Sequence, residues 1–224
     1  MTDAPRIFLF HATPVAMDPV CAAMKSLWQQ AEAVNLLDES LSLDRAREGA
    51  ELSEPLTRRF ITLGRQAIEG SADGILITCS AFGPAIKRLS AEVAVPVLMP
   101  NEAMFREALS LGQNIGMIAT FEPAIATMED EFRDFSAQAG SKTRLTTVLA
   151  RGAIESLRRG DVADHNRRVA EAAESLASCD AIMLAHFSTS RATEAVRAAV
   201  KTSVLTAPES AVARMKQLVE AKET

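Results

Sequence analysis

Two side chains in this sequence stand where a proton could be passed to or taken from carbon: Cys79 in DGILITCSAF and His186 in DAIMLAHFST. A thiol titrates near about 8.5 and an imidazole near about 6.5, so each serves as acid or base close to neutral pH. Aligned without a gap, the two stretches place Asp73 on Asp180, superpose their apolar residues, and put Cys79 on His186. Each residue has a plain alternative. Cysteine is among the most frequently buried residue types and often only packs; a histidine at a strand end is often just a hydrogen-bonded edge residue. In a functional role, the Cys79 sulfur would be favoured as thiolate by the helix start near Gly83-Pro84. The backbone amides after His186, at Phe187, Ser188 and Thr189, would hold a carboxylate.

Short β-rich apolar runs that alternate with longer segments of helical periodicity must position these groups, the pattern of parallel βαβ units. Strands are predicted near Arg6–His11, Ala33–Asp38, Gly74–Cys79, Val95–Met99, Asn114–Thr120, Thr143–Leu149, Ala181–His186 and Val204–Thr206. Between them Leu56, Phe60, Leu63 and Ala67 share one helix face, as do Val162, Val169, Ala173 and Leu176, and Val212, Met215 and Val219. A second long-range match, RIFLFHATPVAMDPVCAAM with NIGMIATFEPAIATMEDEF, suggests a duplicated α/β lobe. The expected architecture is two pseudo-symmetric lobes, each a mostly parallel sheet flanked by helices, with a cleft between them. Residues 1–100 form the first lobe, joined by a C-terminal helix over 207–222, and residues 101–206 form the second. Ligands of open parallel sheets bind at the carboxyl ends of the strands. That rim gathers His11 with Thr13 and Pro14, Cys79 with Ser80 and Ala81, Thr120, and His186 with Ser188 and Thr189.

Other residues read as structural. His11 precedes the Thr13-Pro14 loop, His165 lies in the polar run ADHNRR and is expected on a solvated helix face, Cys21 is expected in the core, and Cys179 in a packed turn. There is no HxxxH, HxH or CxxC spacing for a metal, and no GxGxxG, GxxxxGK[ST] or GxSxG motif, so neither metal nor nucleotide cofactor is expected. Charged residues make up 24 % of the 224 and are interspersed, with a net charge of −5. Nucleic acid and anionic membrane are therefore poor partners. No stretch approaches the about 20 apolar residues of a membrane helix. The N-terminus has neither the basic nor the long apolar region of a signal peptide. With three scattered cysteines, the expectation is a reduced, cytoplasmic protein.

The strand-then-cysteine of DGILITCSA, the second motif DAIMLAHFST, the Thr-Pro after the first strand and IGMIAT opening the second half together resemble the aspartate/glutamate/hydantoin racemase superfamily over about residues 6–208. The resemblance implies a cofactor-independent enzyme, commonly dimeric, in which a cysteine from each lobe moves a proton at the α-carbon of a small carboxylic or amino acid. Arylmalonate decarboxylase and maleate isomerase are relatives. By position Cys79 matches the first catalytic cysteine, followed by Ser80 and Ala81; Thr13 and Pro14 match the first substrate loop, Thr120 its second-lobe counterpart, and Ser188 and Thr189 flank the second catalytic position. At that position the family has cysteine, often in a GCT-type motif, and this chain has Ala185-His186-Phe187. His186 is the most direct replacement; a gap of one residue would put Phe187 there. The resemblance thus implies a Cys79/His186 racemase or isomerase. The alternatives are a one-cysteine decarboxylase and a non-catalytic small-acid-binding protein.

Overall fold

A computed structural model describes residues 4–48 and 51–222. The chain divides into two compact units, residues 1–100 with 211–224, and residues 101–210. The first contains β1 (Arg6–His11), α1 (Met17–Leu27), β2 (Glu32–Leu37), α2 (Glu39–Arg45), α3 (Glu54–Glu69), β3 (Gly74–Ile77), α4 (Gly83–Glu92) and β4 (Val97–Leu98). The second contains α5 (Glu102–Leu111), β5 (Asn114–Ala119), α6 (Ile125–Gln138), β6 (Arg144–Leu149), α7 (Ala153–Arg158), α8 (Val162–Glu174), β7 (Ala181–Leu184), α9 (Thr193–Ala199) and β8 (Ser203–Thr206). The final helix, α10 (Ala207–Glu220), begins in the second unit and belongs to the first from Ala211 onward. No helix among the described residues is long and apolar enough to cross a membrane.

Each unit holds a four-stranded, all-parallel sheet, ordered β2-β1-β3-β4 in one and β6-β5-β7-β8 in the other. The central strands are uninterrupted apolar runs because helices cover both of their faces. Ile75, Leu76 and Ile77 on β3 and Ile182, Met183 and Leu184 on β7 are fully buried. One core of the first unit gathers Phe8, Phe10, Phe60 and Phe82 with Ile75 and Ile77. In the second unit, Ile118, Val169, Ala173, Leu176, Ile182 and Leu184 pack together. Helix starts are set locally: Ser53 accepts from the Leu56 amide to open α3, and Asp161 accepts from the Asp164 amide to open α8.

The sheets also match in register. Ile7 pairs with Gly74 and Ile115 with Ala181, so the residues of β3 correspond one by one to those of β7. The paired aspartates found in the sequence explain how that register is held. Asp73 accepts from the Arg6 amide at 2.7 Å, and Asp180 accepts from the Gln113 and Asn114 amides at 2.8 Å. A Cβ on Gly112 would lie 2.2 Å from the Asp180 carboxylate, so the close approach requires glycine there.

The expected helix faces hold with two corrections. His165 is fully buried rather than solvated, because it lies four residues before Val169 and eight before Ala173, on the same inward stripe; the polar neighbours Asp164 and Arg167 obscure that spacing. Val162, expected inside, is 41 % exposed as the first residue of α8. Five strands end earlier than expected: β2 at Leu37 and β4 at Leu98 by one residue, and β3, β5 and β7 at Ile77, Ala119 and Leu184, where the chain leaves the ladder before Cys79, Thr120 and His186 and turns toward a helix.

Candidate active site

In the first unit, the last rung of the β1–β3 ladder is the Thr78 amide donating to the Phe10 carbonyl at 3.0 Å. Cys79 follows in extended conformation (φ −124°, ψ 119°) and opens a 3-10 turn over Ser80–Phe82 that runs into α4. Its side chain is half-buried and lies with Ile75 and Ile77 against the phenylalanine core. Burial pushes the Cys79 thiol upward, opposed by the Ala81 amide, which donates to the sulfur, and by the Arg45 guanidinium. The expected help from the helix start is thus a single amide, and desolvation outweighs it. Arg45 also ties down the turn, its Nε donating to the Ala81 carbonyl at 3.3 Å. Ser80 is half-buried and Ala81 exposed beside the sulfur. Phe82, by contrast, belongs to the core, stacked on Phe60 at 5.0 Å between ring centroids. Thr13 is half-buried with a hydroxyl that does not cap the Pro14–Ala16 turn, and Pro14 is exposed.

His11, expected on the ligand-binding rim but in a mainly structural role, has neither ring nitrogen to spare. Nδ1 lies 2.9 Å from the Thr78 hydroxyl and Nε2 lies 2.9 Å from Asn35 Oδ1. With the amide oxygen as acceptor, Nε2 carries the hydrogen and Nδ1 accepts from Thr78. The imidazole is fully buried, and burial lowers its pKa. It therefore bridges strands rather than reaching for a ligand.

In the second unit the last rung is the Ala185 amide donating to Ile118 at 2.9 Å. His186 occupies the place of Cys79, but with φ 69° and ψ 149°, a region that essentially only glycine enters without strain. Its ring is half-buried, and desolvation outweighs the favourable effect of the Ala185 carbonyl and keeps the imidazole below its ordinary pKa. A 3-10 turn over Phe187–Ala192 follows, in which Phe187, Ser188 and Thr189 are buried. The Thr189 hydroxyl faces that of Thr120 at 3.4 Å. Thr120 also lines a cavity of about 240 Å³ at the carboxyl ends of β5 and β6, together with Phe121, Leu149, Arg151 and Glu155. Phe121 is 42 % exposed there, under the Arg158 guanidinium at 5.9 Å.

Strand register bears on the Ala185-His186-Phe187 departure. Gly74 corresponds to Ala181, hence Cys79 to His186 and Ser80 to Phe187, and each of the first pair opens a 3-10 turn. The sequence did not single out Asn35, Arg45, Arg151 or Glu155. Asn35 carries a faint signal, a lone amide in the strand AVNLL; Arg151 and Glu155 follow β6 in the same way that the selected residues follow β3 and β7, and the strand-end rule would have reached them. Nothing in the sequence points to Arg45.

The model of the Asp/Glu/Hydantoin racemase family matches residues 21–177. No curated protein matches the sequence significantly. Among solved structures, an aspartate racemase homologue from Pyrococcus horikoshii is 14% identical, with a TM-score of 0.73 over 96% of this chain and 99% of that one. A glutamate racemase isoform from Bacillus anthracis is 12% identical, with a TM-score of 0.72 over 98% of this chain and 83% of its own. An allantoin racemase from Pseudomonas fluorescens is 16% identical, with a TM-score of 0.71 over 97% and 92%. At these identities the likeness is one of fold.

Proposed function

Because the chain belongs to the Asp/Glu/Hydantoin racemase family, we propose that it is a cofactor-independent racemase-type enzyme that moves a proton at the α-carbon of a small carboxylic or amino acid, with Cys79 and His186 as the two acid/base groups. The observation that carries this reading is the register: a thiol and an imidazole stand at the same place just past the last rung of two sheets of the same strand order, each opening a 3-10 turn at the carboxyl edge.

Burial sets the direction of the chemistry. It raises the thiol and lowers the imidazole, so the resting pair is an uncharged thiol and an uncharged imidazole. In this state His186 is the base. Its free ring nitrogen takes the α-proton, the electrons of the C–H bond move into the carboxylate as an enediolate, and the Cys79 S–H delivers a proton to the opposite face. Imidazolium and thiolate remain, the form that catalyses the reverse inversion. The carboxylate is held by hydroxyls and amides at Thr13, Ser80, Thr120, Ser188 and Thr189, with Pro14, Ala81 and Phe187 shaping the walls. The reading places the enzyme in the cytoplasm, as a homodimer acting without a metal.

The left-handed backbone at His186 favours a second reading. A side chain on φ 69° leaves the chain in a different direction from one on φ −124°, and an imidazole aimed elsewhere leaves Cys79 to protonate a carbanion from one side, as in a decarboxylation. Incubation with a panel of carboxylic and amino acids in heavy water separates the readings. Deuterium at the α-carbon with loss of optical activity supports the two-group enzyme. Carbon dioxide release from a malonate with deuterium on one face supports the lyase. Binding without either supports a small-acid-binding protein.

A further inference from the structure

His11 lies on the opposite face of the sheet from Cys79. Along β1 the side chains alternate: Phe8 and Phe10 enter the phenylalanine core, and His11 points to the other side. Along β3, Ile75, Ile77 and then Cys79 lie on the core side, and Thr78 on the His11 side. His11 thus cannot act on the sulfur directly. It links Thr78 to Asn35, so polar side chains from β2, β1 and the end of β3 are joined in one lateral chain, 2.9 Å at each contact. Cys21 on α1 extends it, its sulfur 3.5 Å from Asn35 Oδ1. Thr78 is the last residue held by the ladder, and the next residue is the thiol.

The second unit supplies the contrast. By register, His11 corresponds to Ala119, Thr78 to Ala185, and Asn35, paired with Leu9, to Thr147, paired with Met117. Among the described residues no such chain exists there, and the Thr147 hydroxyl is buried without a partner. Holding four parallel strands together therefore does not require the bridge. It occurs only on the sheet that presents the thiol.

We propose that His11, through Thr78, is a positioning residue for Cys79: the His11–Thr78–Asn35 bridge fixes the strand end, and with it the place of the sulfur at the start of the Ser80–Phe82 turn. This rests on the reading of Cys79 as a reacting group. Without the bridge, Thr78 keeps its amide bond and a hydroxyl contact of 3.3 Å, both to the Phe10 carbonyl on the neighbouring strand, with nothing tying it further across the sheet; the sulfur then samples other positions at the turn, and the thiol titrates higher.

The test is the pH dependence of Cys79 alkylation by iodoacetamide in the intact protein, followed by mass spectrometry with Cys179 as internal reference. Thr78→Val removes the hydroxyl with almost no change in shape, and His11→Ala removes the hub. The expected result is an upward shift of the Cys79 midpoint by about one pH unit, hence about tenfold slower alkylation near neutrality, in either variant and no further in the double variant, with Cys179 unchanged. His11→Gln, which can span Thr78 and Asn35, restores part of the rate. If folded Thr78→Val keeps the parent profile, or if Cys79 and Cys179 change together, the bridge is merely structural and the proposal is overturned. Alkylation needs no substrate, so this outcome is independent of α-proton exchange and its loss in Cys79→Ala, which test the functional reading.

Discussion

Cys79 and His186 each follow the last rung of matching sheets, and the chain treats them differently. At Cys79 the backbone is relaxed and extended, and the residues beneath it are a histidine, a threonine and an asparagine bonded across three strands. At His186 the backbone is in a glycine-like region, and the corresponding positions are Ala119, Ala185 and an unsatisfied Thr147. One turn is unstrained and bridged from beneath; the other is strained and has no such bridge at the corresponding positions. Matching folds therefore do not imply matching roles: the first turn is built to hold a side chain still, and the second keeps an imidazole in place against its own backbone preference.

The largest expected effect tests whether the two turns act as a pair. General acid–base groups contribute about 10²- to 10⁴-fold. Cys79→Ala is expected to lower α-proton exchange by at least about a hundredfold, and His186→Ala to abolish inversion while leaving slow exchange on one face. Stereochemical analysis of the deuterated product checks this. Equal residual inversion in both variants would show that the imidazole is not the second acid/base group. The pH profile sharpens the point. Inversion that starts from neutral imidazole and thiol needs His186 deprotonated and Cys79 protonated. Since burial lowers the first pKa and raises the second, the rate should stay flat from below about pH 6.5 to above about 8.5 and fall outside those limits. Thiolate chemistry by Cys79 alone would instead rise steadily with pH through the raised thiol pKa.

This asymmetry was only partly legible in the sequence. All eight predicted strands are present because apolar runs bounded by turns are a local signal, and the Asp73/Asp180 match gave the register because each carboxylate caps a neighbouring strand start. The rim residues followed from strand order. The bridge was hidden because its members, His11, Asn35 and Thr78, are far apart in the chain and only a pairing register makes them neighbours. His165 was misread for a related reason, since its burial depends on the stripe it shares with Val169 and Ala173 rather than on the charges beside it. Nor does any sequence pattern reveal a positive φ at a histidine, because the usual mark of that conformation is glycine.

Strain gives the next prediction. A non-glycine residue in the His186 conformation costs about 1 to 3 kcal/mol, and alanine bears the same penalty, so His186→Gly should be more stable than His186→Ala by about 1 to 2 kcal/mol. At Cys79, where φ is −124°, the order should reverse: Cys79→Ala exceeds Cys79→Gly by about 0.5 to 1 kcal/mol, because glycine gains nothing there and loses more entropy on folding. Urea denaturation of the four variants checks both orders. The same order at both sites would remove the backbone difference from which the comparison starts.

The smallest effect concerns the hydroxyls beneath the two turns. Thr78 Oγ1 is bonded to His11 at 2.9 Å, whereas Thr147 Oγ1 is buried with no partner. Valine is nearly isosteric with threonine, so Thr→Val changes little except the hydroxyl. At Thr78 it leaves His11 Nδ1 without a donor inside the sheet, and a buried acceptor deprived of its partner destabilises by about 1 to 3 kcal/mol. At Thr147 it removes a group already lacking a bond, and the substitution should be neutral or stabilising by up to about 1 kcal/mol. Opposite signs at two corresponding levels of the sheets, measured by thermal or urea unfolding, separate a designed brace from a polar residue that happens to be buried. Equal destabilisation at both would mean that Thr147 has a partner, such as an ordered water, and that the second sheet is braced in its own way.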